Sequence, residues 1–240
     1  MDKTVKRKTL LNALKTDRNF LCMAADAYRS PRKRNSFGKW TYQHDLSDEE
    51  KSVYLKLTDH RKTYCIAFRG TTTRDDVMVN IKLIMRDFFQ SARFKRDFKF
   101  VKQFKNNHPK ARVILVGHSL GGRLASEVAK CLKMKGLRAV TFNEVRVFQD
   151  VGKADNHHFV KRYRTKSDFA SVMGVIGFKS KRTLFHHLPG YGHGIKNMQR
   201  MICKRKALPS HSRRTPNQGK GRGGMSVGQE VHHGFFGKYL

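Results

Sequence analysis

An α/β fold is predicted, with a mostly parallel central sheet, helices on both faces and a basic C-terminal tail lacking regular structure. Three observations carry this. Arg112-Val113-Ile114-Leu115-Val116 is a short aliphatic, β-branched run, as a central parallel strand covered on both faces requires. Gly117-His118-Ser119-Leu120-Gly121-Gly122 follows it directly, with glycines where a strand must turn sharply into a helix. Leu120, Leu124, Val128 and Leu132 then recur every fourth residue with Ala125 and Ala129 beside them, a stripe facing a core, and Leu137–Phe142 reads as the next strand. Together these make one βαβ unit.

The remaining elements follow in chain order. Leu10, Leu11, Leu14, Leu21, Met23, Ala24 and Ala27 suggest an early helical region that ends before Ser30-Pro31. Trp40 and Tyr42 alternate with polar residues and open a first strand. Val53–Leu57 gives a second, with a polar turn at Asp59-His60-Arg61-Lys62, and Tyr64–Phe68 a third that runs into the small, hydroxylated loop Arg69-Gly70-Thr71-Thr72-Thr73. Val77, Ile81, Ile84, Met85, Phe88 and Phe89 repeat at helical spacing with Lys82 and Arg86 between them. Two readings fit residues 77–89: a core helix, or a lid that opens onto lipid. Phe94, Phe98, Val101 and Phe104 mark a core-facing helix before the Arg112 strand. In the helix after the turn, Arg123, Glu127, Lys130 and Lys133 occupy the side away from the stripe, and Gly136 terminates it. His158–Arg164 is strand-like.

Composition bounds the rest. The 240 residues suit one α/β domain of ordinary size, expected over 1–203. Residues 204–240 are rich in Lys, Arg, Gly and Ser, include Gly219-Lys220-Gly221-Arg222-Gly223-Gly224, and show no period, so a disordered tail is expected. No internal repeat is present. No stretch approaches the roughly 18 consecutive apolar residues of a membrane span. The basic N-terminus lacks the apolar run of a secretory signal. Cys22, Cys65, Cys131 and Cys203 are scattered without metal-ligand spacing, and Cys65 and Cys131 fall in apolar patterns as reduced core residues. A reducing, intracellular or virion-associated setting is expected. The net charge of +33 is far beyond what a soluble enzyme needs, and it implies adhesion to polyanions.

The strand-turn-helix context gives the G-x-S-x-G pattern chemical meaning. A serine at such a bend stands exposed at the top of the sheet, and the helix N-terminus behind it favours a developing oxyanion. Ser119 is the candidate nucleophile. In folds of this kind the triad runs Ser, acid, His, with the acid at a strand's carboxyl end. Asp168 follows the 158–164 strand in a polar loop, whereas Asp150 and Asp155 precede that strand. His193 sits in the small-residue loop Gly190-Tyr191-Gly192-His193-Gly194, ahead of the helix-like spacing of Ile195, Met198, Met201 and Ile202. His186 and His187 are the competing bases.

Phe68-Arg69-Gly70-Thr71, then Asp76 and Asn80, the G-H-S-L-G-G string at 117–122 and Thr141-Phe142-Asn143 resemble the class 3 (fungal-type) lipases of the α/β-hydrolase superfamily. The resemblance spans roughly residues 10–200. It implies an α/β-hydrolase fold and a Ser119–Asp168–His193 triad, with an oxyanion hole formed by Thr71 and the Leu120 amide. It also implies a lipid ester substrate, triacylglycerol or phospholipid, with no metal or cofactor needed. Asn143-Glu144-Val145 departs from the Gly-Pro expected after Thr141-Phe142. Two classes of function then compete: a lipolytic serine hydrolase seated on anionic membranes by its charge, or a polyanion- or nucleic-acid-associated packaged protein on a hydrolase scaffold. No RNA-recognition motif or zinc finger is present, so nucleic-acid binding would be independent of sequence.

Overall fold

A computed structural model describes residues 17–71, 87–145, 158–165, 185–188 and 194–196. All belong to the first of two units into which the chain divides, Met1–Lys206 and Ala207–Leu240. The expected tail, the helix seeds Leu10, Leu11 and Leu14, and residues 77–86 of the helix-or-lid segment lie outside the described residues.

The described chain opens with helix α1 over 17–26, whose Leu21, Met23 and Ala24 are buried. Its last turn tightens, with the Tyr28 amide donating to the Ala25 carbonyl at 3.2 Å, and Pro31 bars continuation. Buried Arg34 then ties this end to the next segments, donating to the carbonyls of Ala27, Asp48 and Lys51. Strand β1 (Thr41–Gln43) follows the isolated Phe37–Trp40 bridge. β2 (Lys51–Thr58) and β3 (Arg61–Phe68) form a hairpin in register through Thr58 and Arg61. The turn is therefore Asp59-His60 alone, two residues shorter than the polar run suggested.

Helix α2 (Ala92–Asn107) starts at Ser91, whose side chain accepts the Phe94 amide at 3.2 Å. It leads to β4 (Arg112–His118), helix α3 (Leu120–Leu132) and β5 (Leu137–Phe142). β6 (Val160–Thr165) and β7 (Phe185–Leu188) complete the sheet. Strand order follows chain order across seven strands: β1, β2 and β3 pair antiparallel, and β3 through β7 pair parallel. This is the mostly parallel sheet of an α/β-hydrolase fold.

The two-residue period of the strands divides the core into two layers. Tyr64, Ile66, Phe68, Val113, Leu115 and Ala139 face α2 and α3. Cys65, Ala67, Ile114, Val116, Val140 and Phe142 face α1 and Ile195. Helices therefore cover both faces.

Three local expectations are corrected. Helix α3 ends at Lys133, a left-handed residue with φ 47°, and Gly136 (φ 77°) instead shapes the turn into β5. Arg123 and Glu127, expected on the outward face of α3, are buried. Arg123 pairs with Glu127 at 3.2 Å and lies over the Phe88 ring, so a neighbouring segment covers this side. Cys131 is exposed at the end of α3 rather than in the core, while Cys65 is fully buried. Among the described residues, no helix is long and apolar enough to cross a membrane.

Candidate active site

The turn after β4 has the geometry that its sequence demands. Ser119 adopts φ 58° and ψ −124°, a conformation non-glycine residues rarely hold, worth about 1–3 kcal/mol of strain. Neighbouring packing imposes it. The Ser119 amide donates to the Phe142 carbonyl of β5 at 3.1 Å, and the Ser119 carbonyl accepts the Arg123 amide of α3 at 3.1 Å. Two glycines make the bend possible: a Cβ on Gly117 would overlap the Gly121 carbonyl, and one on Gly121 would overlap the Phe68 carbonyl of β3. Strand β4, the start of α3 and the end of β3 thus meet backbone to backbone.

β3 pairs parallel to β4 with Phe68 opposite Gly117, so Arg69-Gly70-Thr71 emerges beside Ser119 at the carboxyl end of the sheet. The Leu120 amide lies at the first turn of α3, where N–H groups have no partner inside the helix. The Thr71 hydroxyl oxygen is buried and makes no hydrogen bond to any described residue. Thr71 and Leu120 both line a cleft of about 460 Å³. Phe88 and Leu124 give it an apolar wall, and Glu50 and Arg93 a charged one.

Two side chains that the sequence did not single out hold this loop. The Tyr28 hydroxyl sits 2.9 Å from His118 Nδ1 and packs against Gly70, where an added Cβ would overlap the phenolic oxygen. Burial pushes the Tyr28 phenol well up, against the opposing pull of the Gly70 amide, Arg93 and Arg69, so it remains a neutral hydrogen-bonding link between elbow and loop. Arg93 donates to the Arg69 carbonyl and lies 3.7 Å from Asp97. Burial lowers the Arg93 pKa, with Asp97 opposing, and raises that of Asp97, with Arg93 and Arg96 opposing. The i, i+4 spacing of Arg93 and Asp97 was a visible signal of pairing. Nothing local marks Tyr28, which lies 90 residues from His118.

Behind the elbow, Glu144 is fully enclosed. Its carboxylate accepts from Ser126 of α3 (2.6 Å), Thr141 of β5 (2.8 Å) and the Arg162 Nε of β6 (3.1 Å). Burial alone would raise this carboxyl, but Arg162, Lys130, Arg123 and the Ser126 hydroxyl outweigh it and hold it below the ordinary glutamate range. Asn143, at φ 44°, accepts the Thr165 amide at 3.0 Å. The residues that depart from the expected Gly-Pro thus lock the carboxyl ends of β5 and β6 together.

Asp168 and His193 lie outside the described residues. The described chain stops at Thr165, three positions before Asp168, and β7 ends at Leu188, five before His193. His186 and His187 fall within β7, in register with Tyr163 and Arg164. Of residues 77–89, the described part shows Phe88 buried and Phe89 about half exposed. No group of metal-ligating side chains occurs among the described residues.

Residues 30–205 match the phospholipase-like family described as the Tle-like phospholipase domain. Among solved structures the chain is similar to the Lip2 lipase from Yarrowia lipolytica, at 14% identity over 68% of this chain and 74% of that one, with a TM-score of 0.48. It is likewise similar to a triacylglycerol lipase from Penicillium expansum (17% identity, 78% and 86% covered, TM-score 0.47). A lipase from Rhizopus microsporus var. chinensis matches at 17% identity, with 67% and 69% covered and a TM-score of 0.44. Comparison with curated proteins finds no match.

Proposed function

From the premise that this chain belongs to the Tle-like phospholipase domain family, resembling the class 3 lipases in its motifs, we propose a serine hydrolase that cleaves carboxylic esters of lipids. The observation that carries the reading is Ser119 itself: a strained serine held between β4 and α3, with a buried Thr71 hydroxyl beside it that has no partner among the described residues. Strain at a single non-glycine residue persists only where the surroundings enforce it, and such residues cluster at working sites.

In this mechanism Ser119 Oγ attacks the ester carbonyl while His193 takes its proton, and Asp168 orients and stabilises the imidazolium. The carbonyl oxygen, now an anion, accepts hydrogen bonds from the Leu120 amide and the Thr71 hydroxyl. Collapse breaks the C–O bond, and His193 returns the proton to the departing alcohol. Water, deprotonated by His193, then attacks the acyl-Ser119 ester and releases the fatty acid. Two topological facts favour this assignment. Asp168 follows the carboxyl end of the second strand beyond β4, and His193 follows the carboxyl end of the third, on the edge of the sheet where Ser119 stands. His186 stands level with His118 through Phe142 and Tyr163, with His187 one residue further on, so these two are the competing bases.

The family's description favours a glycerophospholipid as the ester cleaved, with triacylglycerol as the second candidate. The test pairs a fluorophosphonate probe with fatty-acid release from phosphatidylglycerol vesicles and from tributyrin. Labelling of Ser119, abolished in Ser119→Ala, with release from the vesicles supports the proposal. Labelling elsewhere, or no release from either lipid, overturns it.

A further inference from the structure

The opposite edge of the sheet, where the parallel strands begin, carries a second concavity of about 790 Å³. Arg61 stands at the start of β3, Lys110 and Arg112 at the start of β4, and Lys133, Lys135 and Arg138 around the start of β5, and all six line it. Among the described residues that line it, none is acidic. Arg112 is half-buried and the other five are exposed, and none pairs with a carboxylate among the described residues. Lys105 plays a different part: it is buried and donates to the carbonyls of Pro109 (2.9 Å) and Ala111 (2.7 Å), fixing the turn that presents Lys110. Met134 and Phe159 add an apolar strip.

Like charges around a concavity focus potential into it and repel one another until counter-charge enters. From β3 to β5 they extend across about 10 Å, two strand spacings, more than one phosphate can neutralise. The array suits a chain of phosphates. A membrane surface is the poorer partner. β4 runs seven residues, about 20 Å, from this edge to Ser119, so lipid held here would face away from the elbow. That step rests on the proposed lipid-ester chemistry at Ser119. We infer that the cleft at the amino edge of β3, β4 and β5 binds the phosphodiester backbone of a nucleic acid, without base specificity, while the carboxyl edge does the chemistry.

Fluorescence anisotropy of a labelled single-stranded oligonucleotide against the full chain, over a sodium chloride series, tests this. The triple Lys110→Gln, Lys135→Gln, Arg138→Gln is compared with a control triple of equal charge change in the exposed loop before β1, Arg32→Gln, Lys33→Gln, Lys39→Gln. The cleft triple should make the slope of log affinity on log salt shallower by about 2, since each lost single-strand phosphate contact removes about 0.7, while the control changes it by well under 1. Should the cleft triple melt early, Lys110→Gln and Lys135→Gln singly should each remove about 0.7. Equal losses in both triples would mean diffuse attraction and overturn the inference. So would a cleft triple that loses binding to phosphatidylglycerol–phosphatidylcholine vesicles but keeps the oligonucleotide. Hydrolysis of p-nitrophenyl butyrate should be unchanged in both triples. Failure of the wild-type chain to hydrolyse that ester would count against the proposed chemistry and leave the slope comparison standing.

Discussion

Ser119 and Thr71 each combine an unfavourable local state with a proposed chemical role, and each yields a discriminating substitution. Ser119→Ala should lower ester hydrolysis by about 10⁴-fold or more. It keeps the Cβ that clashes at φ 58°, so its stability should match wild type. Ser119→Gly should be as inactive yet more stable than Ser119→Ala by about 1 kcal/mol, because glycine adopts positive φ freely. Thermal melts of the two variants check this, and equal midpoints would show that the backbone there is unstrained. Thr71→Val replaces a buried, unpartnered hydroxyl with a methyl of similar volume. A structural hydroxyl would cost stability when lost, but an orphan poised for an oxyanion should cost none. The expected result is kcat reduced about 100-fold, with KM and the melting midpoint little changed. The bend at Ser119 was legible because a strand, a turn and a helix stripe within about twenty residues reveal an elbow, whereas Thr71 was legible only through the resemblance carried by Phe68-Arg69-Gly70-Thr71. Tyr28 was not: what makes it matter is the approach of α1 to His118, a contact no local period encodes.

At the scale of elements, α3 shows where periodicity stops informing. A 3.6-residue repeat tells which residues share a face, and it placed Leu120, Leu124 and Val128 in the core as found. It does not tell whether the other face meets water. Arg123 and Glu127 are both buried, Arg123 lying over the Phe88 ring and pairing with Glu127. Likewise a glycine near a helix end was the natural terminator, but Lys133 takes the left-handed position at the end of α3. The tie between β5, β6 and α3 through Glu144 was visible only as an unexpected Asn143-Glu144-Val145. Its energetic sign follows from its charge. Glu144 is held below its ordinary pKa in the fold, so its stabilising contribution is fully present above the ordinary glutamate range, and it is lost as pH falls through the folded value. Glu144→Ala should cost about 3 kcal/mol or more at pH 7, because it removes the carboxylate of the buried Glu144–Arg162 ion pair. The gap between wild type and variant should narrow on acidification below about pH 4.3, the ordinary glutamate value. Urea melts at neutral and acid pH measure both, and a gap that widens toward acid would contradict the assignment.

For the whole molecule, the net charge of +33 is divided between a folded domain with a basic cleft and the Lys/Arg/Gly-rich stretch from 204 onward. That stretch lacks the apolar periodicity with which a segment buries a core, so it should contribute electrostatics and no chemistry. A chain truncated before Lys204 is expected to hydrolyse p-nitrophenyl butyrate at the full-length rate. Its affinity for an oligonucleotide should fall, and the part lost should be strongly salt-dependent, since each released counterion steepens the slope. A residual slope should remain, because the cleft lined by Lys110, Lys135 and Arg138 is untouched, and neutralising those three in the truncated chain should remove most of it. Vesicles of phosphatidylglycerol, run over the same salt series, separate the two uses of the tail. If truncation weakens vesicle binding more than oligonucleotide binding, the tail serves to seat the carboxyl edge on lipid; the reverse order makes it a second arm for nucleic acid. A loss of soluble-ester hydrolysis on truncation would contradict both, since it would make the segment carrying Phe235 and Phe236 part of the catalytic domain itself.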